Sequence, residues 1–181
     1  MTAGRAPAGE VWHFSEDPTI TGFVPHVAAT ARQPEAYVWA VDAARCPDYW
    51  FPRQCPRAMA WREPGTDPGV ADRLLGRRTE RVHVIEHGWL RPLLTTTLYA
   101  YPFDARDFRP FGTPVHASVA ERPVHPLRAP EVLDDLAGLH AAAGIELRVT
   151  RDLFGWWAEV VGSGLGFSGI RLRNSPRHRD P

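Results

Sequence analysis

ERVHVIEHG, residues 80–88, decides what kind of fold this chain adopts. Arg81, His83 and Ile85 alternate with Val82, Val84 and Glu86, the period-two pattern of a strand, and the mixture suits a strand near a sheet edge. The same letters contain His83-Val-Ile-Glu86-His87, the HxxEH spacing of one class of zinc peptidases. That spacing grips a metal only on a helix, where residues four apart share a face. On a strand the two imidazoles stand about 13 Å apart, and Gly88 follows at once. Glu80–Glu86 is expected to be a strand, and no metal site is expected.

Outward from it, β-type stretches recur. Val11–Phe14, Tyr37–Asp42, Ala58–Trp61, Thr95–Phe103, Val115–Ala120, Ile145–Thr150 and Phe167–Arg173 show alternation or enrichment in β-branched and aromatic residues. Helical signals cover Ala43–Phe51, interrupted by Pro47, and Asp152–Val161. A further helix is expected over Pro130–Ala142, with proline in its first turn, acids near its start and Gly144 after its end. EPGTDPG (63–69) is a loop that precedes a short helix through Val70–Arg78. Strands outnumber helices and come partly in runs. The expected class is α+β, with mixed or mostly antiparallel sheets and two or three helices.

The 181 residues fit one domain, 1–181, with an ordered core over about 10–174 and short flexible polar tails. A chain of this size buries roughly 70% of its unfolded surface and needs no disulfide or metal to hold a core. Net charge is zero, so no global field favours nucleic acid or a membrane surface. All 21 basic residues are arginine. Codon usage accounts for that bias as a whole, and bidentate anion binding could account for only a few of them. No run approaches the roughly 18 apolar residues of a membrane span, and residues 1–10 carry no signal-peptide pattern. A cytoplasmic protein is expected, with Cys46 and Cys55 as buried free thiols.

Two further matches dissolve in context. Gly164-Leu-Gly166-Phe-Ser-Gly169 fits GxGxxG. A dinucleotide loop runs from strand to helix, however, and this one runs from helix to strand. Ser118, Ser163 and Ser168 lack the GxSxG setting of a hydrolase nucleophile.

Four polar segments remain. The first, Trp12-His13-Phe14-Ser15-Glu16-Asp17-Pro18, sets His13 between aromatics ahead of a polar turn. Phe51–Arg57 places Arg53 and Arg57 among stiffening prolines. Arg171-Leu172-Arg173-Asn174 ends the last strand candidate with two arginines on one face, and Glu121 and His125 follow another strand. Taken singly, His13 reads as a hydrogen-bonded strand histidine and Glu121 as a surface carboxylate. Arg53 and Arg57 read as partners in surface ion pairs worth about 0–1 kcal/mol. If these segments converge, they offer a histidine, an acid and several guanidiniums, which suits a phosphate-bearing ligand. His13 and Glu121 are candidate members of such a site, and Ser15, Arg53, Arg57, Arg171, Arg173 and Asn174 its candidate ligand contacts.

HFSEDPTI (13–20), VWAVD (38–42), FPRQCPR (51–57), IEHGW (85–89), LYAY (98–101), IELRV (145–149) and FSGIRLRN (167–174) together resemble a small bacterial family of unknown function, over residues 11–174. At the level of fold alone, a histidine in the first strand followed by a strand and a short aromatic helix (Val38–Phe51) resembles the ADP-ribosyltransferase-like proteins. That resemblance implies an NAD-handling enzyme with His13 and Glu121 as its candidate catalytic residues, His13 holding a ribose and Glu121 orienting its hydroxyl as the glycosidic bond breaks. Trp39-Ala40 departs from the serine and tyrosine usual in the second motif. The other reading is a non-enzymatic module that binds a small molecule or a protein.

Overall fold

The computed structural model describes residues 3–27 and 34–176. In chain order its strands are β1 (Glu10–Ser15), β2 (Val38–Ala40), β3 (Arg57–Trp61), β4 (Arg81–Glu86), β5 (Leu98–Asp104), β6 (Arg109–Phe111), β7 (Ala117–Ala120), β8 (Glu131–Leu133), β9 (Glu146–Thr150) and β10 (Gly166–Ile170). The α-helices among the described residues are α1 (Pro68–Leu74), α2 (Leu90–Thr95), α3 (Leu136–Ala142) and α4 (Leu153–Val161). The class is α+β. The chain forms two compact units, each from two segments: Met1–Trp50 with Thr97–Asp134, and Phe51–Thr96 with Asp135–Pro181.

The first unit holds two antiparallel three-stranded sheets, ordered β1-β5-β8 and β2-β7-β6. Trp12 and Val41 exchange backbone hydrogen bonds of 2.8 and 2.9 Å, which tie β1 to the end of β2. Val11, Val38, Ala40, Tyr101, Phe103, Ala120 and Val124 fill the core. Phe23 packs edge-on against both Tyr101 and Phe103, with ring centroids 5.2 Å apart in each case. The N-terminal segment is packed from Gly4 onward rather than frayed: Trp50 Nε1 donates to the Gly4 carbonyl at 2.9 Å and Ala6 is buried. At the other end, Ser175 is fully buried, and the expected tail from Arg177 lies outside the described residues.

The second unit holds a four-stranded mixed sheet ordered β10-β3-β4-β9, in which only β4 and β9 run parallel. Arg81–Glu86 does form a strand, with His87–Trp89 turning into a 3-10 helix after it; β4 is paired on both sides and lies one place in from the edge strand β9. Val82 and Val84 join Ala58, Ala60, Leu74, Leu75, Leu153 and Val160 in the core on one face. On the other face His83 is fully buried, because a partner distant in sequence satisfies its ring. Arg81 Nε donates to His83 Nε2 at 2.9 Å, so that nitrogen carries no proton. His83 Nδ1 therefore donates to His140 Nε2 at 3.0 Å, and His140 Nδ1 donates to the Leu136 carbonyl at 2.7 Å. One chain of donors thereby joins β4 to α3.

The helix expected over Pro130–Ala142 is a strand followed by a helix. Glu131–Leu133 pairs with β5, and α3 begins only after Asp135. The true start is the motif Asp-Leu-x-Gly, which occurs twice. Asp135 accepts from Gly138 N at 2.8 Å, and Asp152 accepts from Gly155 N at 2.9 Å. A Cβ on Gly138 would lie 2.0 Å from the capping carboxylate, so the motif closes on glycine. Asp135→Ala is expected to lower stability by about 1 kcal/mol through loss of this cap, read as a shift in the urea midpoint at unchanged slope. Arg171 is also corrected: it turns into the left-handed region (φ 57°) after β10, and Leu172–Asn174 form a 3-10 turn. Arg171 and Arg173 thus share no strand face. Gly164 and Leu165 fall in the turn after α4 and Gly166–Gly169 are already in β10, the helix-to-strand order that the sequence implies.

Candidate functional site

In the first unit His13 sits mid-strand on β1, directly opposite Tyr101 of β5. Its Nδ1 lies 2.7 Å from the Trp39 carbonyl, which can only accept, so Nδ1 carries a proton. The half-buried ring packs against Phe23 with centroids 4.9 Å apart. Its tautomer and its tilt are both set by these neighbours.

The turn after β1 is stapled from below. Tyr101, fully buried, donates its hydroxyl to the Asp17 carbonyl at 2.6 Å and accepts from Ile20 N at 3.2 Å. Burial pushes that phenol above its ordinary range. Ser15 Oγ accepts from Asp17 N at 3.1 Å, and Asp17 accepts from Thr19 N at 2.8 Å and from the Thr19 hydroxyl at 2.7 Å. Ser15, expected as a ligand contact, is buried and holds this turn.

Above the turn lies a cleft of about 320 Å³, walled by Pro18–Thr21, Tyr101, Pro126, Arg128, Ala129 and Pro130. Arg128 is oriented by Glu10, donating to its two oxygens at 2.6 and 2.9 Å. The arginine holds the Glu10 carboxyl below the usual glutamate range. Glu121 follows β7 and is exposed. Its Oε1 accepts from Arg109 Nη2 at 2.7 Å and Nε at 3.0 Å. Arg109 also reaches the Tyr37 hydroxyl at 3.0 Å.

The other expected site residues belong to the second unit. Arg57 is buried, with Nη1 donating to the Cys55 carbonyl at 3.1 Å and its guanidinium 5.2 Å from the centre of the Phe51 ring. Asn174 Nδ2 donates to the Gln54 carbonyl at 2.8 Å and to Gln54 Oε1 at 3.1 Å, which brings the Phe51–Arg57 loop and the last turn together. Arg53 and Arg173 are exposed, and Arg171 is half-buried. Burial pushes the Cys46 and Cys55 thiols up to about 12, where a thiolate nucleophile is not formed at neutral pH. Among the described residues no group of three or more His, Cys, Asp or Glu is placed to hold a metal ion.

Tyr101, Arg128 and the Thr19–Thr21 turn were not singled out from sequence, although HFSEDPTI and LYAY contain most of them. Glu86 was passed over as well. It shares a strand face with Val82 and Val84 and is 7% exposed, and an acid in so apolar a row was its signal.

The fold and its clefts define an α+β protein with no helix, among the described residues, long and apolar enough to cross a membrane. The chain belongs to the family of unknown function DUF6886, whose model matches residues 12–175. Comparison with curated proteins and with solved structures gave no match.

Proposed function

We propose that the protein handles a nucleotide-class small molecule, of the NAD and ADP-ribose type, at the cleft of its first unit. The observation that carries this reading is the convergence of Pro18–Thr21, Tyr101 and Arg128 around about 320 Å³. That volume suits a nucleoside-sized group. The end-on fork of Arg128 is taken by Glu10, and what this guanidinium offers a phosphate is its remaining N–H donors. His13 is not among the residues that wall the cleft; it is the strand partner of Tyr101, half-exposed with its tautomer set, and the reading has it meet the ribose beyond Tyr101. In the enzymatic form of the reading, Glu121, which does not wall the cleft and is paired with Arg109, is the acid that stabilises positive charge developing at the sugar carbon.

ADP-ribose at ten times its dissociation constant is expected to raise the melting temperature by about 3–5 °C. His13→Ala is expected to remove most of that shift. No shift with either ADP-ribose or NAD at millimolar concentration would overturn the reading. A second reading, binding without chemistry, is favoured by the ion pair that already engages Glu121 with Arg109. Release of nicotinamide from NAD, lost in Glu121→Gln, selects the enzyme; ADP-ribose binding without such release selects the module.

A further inference from the structure

We infer that the second unit carries a separate site for a small amine or guanidine, whose cationic nitrogen donates to Glu86. The site stands apart from the nucleotide reading and rests on different residues. β4 and β9 are the parallel pair of their sheet, and Glu86 and Thr150 are their last partners in register. Chain leaving parallel strands at their C-terminal ends opens into loops, and crevices that take ligands form there. A cleft of about 310 Å³ occupies this position, lined by Glu86, His87, Trp89, Thr150, Arg151 and Pro176.

Glu86 is the unusual member. Its side chain is 7% exposed, and one oxygen accepts from the Ser175 hydroxyl at 2.6 Å. The other oxygen is buried with no hydrogen-bond partner among the described residues. Buried acceptors are ordinarily satisfied, and an unmatched carboxylate oxygen is among the costliest exceptions. An N–H donor arriving through the cleft supplies the missing bond in its charge-assisted form. The half-buried indole of Trp89 adds a surface that attracts cations over neutral groups. Arg151, exposed at the rim, makes a second cationic end unfavourable and an anionic end favourable. The ligand class that fits is therefore an ω-amino or ω-guanidino acid.

The test is calorimetric titration of the full chain with 4-guanidinobutyrate, with butyrate as the control lacking the cation. Binding of the first and not the second is expected. Glu86→Gln keeps an acceptor for Ser175 and is expected to weaken binding about tenfold or more, the size of a charge-assisted hydrogen bond. Its melting temperature should stay level or rise, because the unmatched charge is gone. Arg151→Ala should weaken binding less, at unchanged melting temperature. Should Glu86→Gln not fold, Trp89→Leu and Arg151→Ala carry the test, and unchanged affinity in both overturns the proposal. So does absence of binding at millimolar concentration, or equal affinity in folded Glu86→Gln.

Discussion

Phe51→Ala is expected to destabilise the protein by about 3–5 kcal/mol, the cost of emptying a large aromatic site in a packed core. Phe51 is 1% exposed and sits where three polar groups need an apolar neighbour. The His140 ring meets it edge-on at 4.9 Å, the His83 ring lies at 5.6 Å, and the Arg57 guanidinium lies 5.2 Å from its centre. Removing the ring leaves a cavity and admits water to the histidine pair. Phe51→Leu refills most of the volume and should cost about 1–2 kcal/mol. Urea denaturation of both variants measures the difference. A loss below about 1 kcal/mol for the alanine variant would mean that the pair does not depend on this packing.

Stability is expected to fall as pH drops from about 6.5 towards about 4, because of His140. Burial pushes this imidazole down to about 4 from the ordinary 6.5, with Arg81 and Arg57 adding to the effect. The unfolded chain therefore takes up a proton in that window and the folded chain does not. The contribution is fully present above about 6.5 and is lost as pH falls through the window, about 3 kcal/mol in all. Glu10 and Glu146 act lower down. Arg128 and Arg148 hold their carboxyls below the ordinary 4.5, so their contribution is lost only as pH falls past that value. Urea titrations at pH 7 and pH 4.5 separate the two effects. His140→Leu should be less stable at pH 7 yet give a flatter profile, and an unchanged slope would remove His140 as the cause.

Much of the strand content is legible in the sequence, because period-two alternation is a local property. Each of the eight strand candidates overlaps a strand, although Thr95 falls in α2 and Arg171–Arg173 fall beyond β10. Burial is another matter. The mixture of Arg81, His83 and Glu86 with apolar residues placed β4 near an edge, and it lies beside the edge strand β9, but the full burial of His83 was not visible in the pattern. Its partner, His140, lies 57 residues away. The start of α3 was hidden by Glu131, Asp134 and Asp135, which imitate the acids of a helix N-terminus; Asp135 alone is the cap. β6, Arg-Pro-Phe, is too short to show a period, and its proline argues against a strand. The two units exchange chain at positions 50/51, 96/97 and 134/135, where no glycine- or serine-rich linker marks the crossings.

The candidate site was legible by residue type and not by grouping. His13, Ser15 and Glu121 fall in the first unit, and Arg53, Arg57, Arg171, Arg173 and Asn174 fall in the second. The first-unit guanidinium at the cleft is Arg128, whose place depends on its bond to Glu10 across 118 residues of chain. Glu86 illustrates the same limit. Its position in an apolar row is local information, but the unmatched oxygen emerges only once Ser175 has taken the other.

Amide chemical-shift mapping of the full chain titrated with ADP-ribose tests the nucleotide reading most directly. Saturable shifts are expected at Thr19, Ile20, Thr21, Tyr101 and Arg128, extending to His13. Saturable shifts that leave all six residues untouched, or none at all at millimolar ligand, would contradict it.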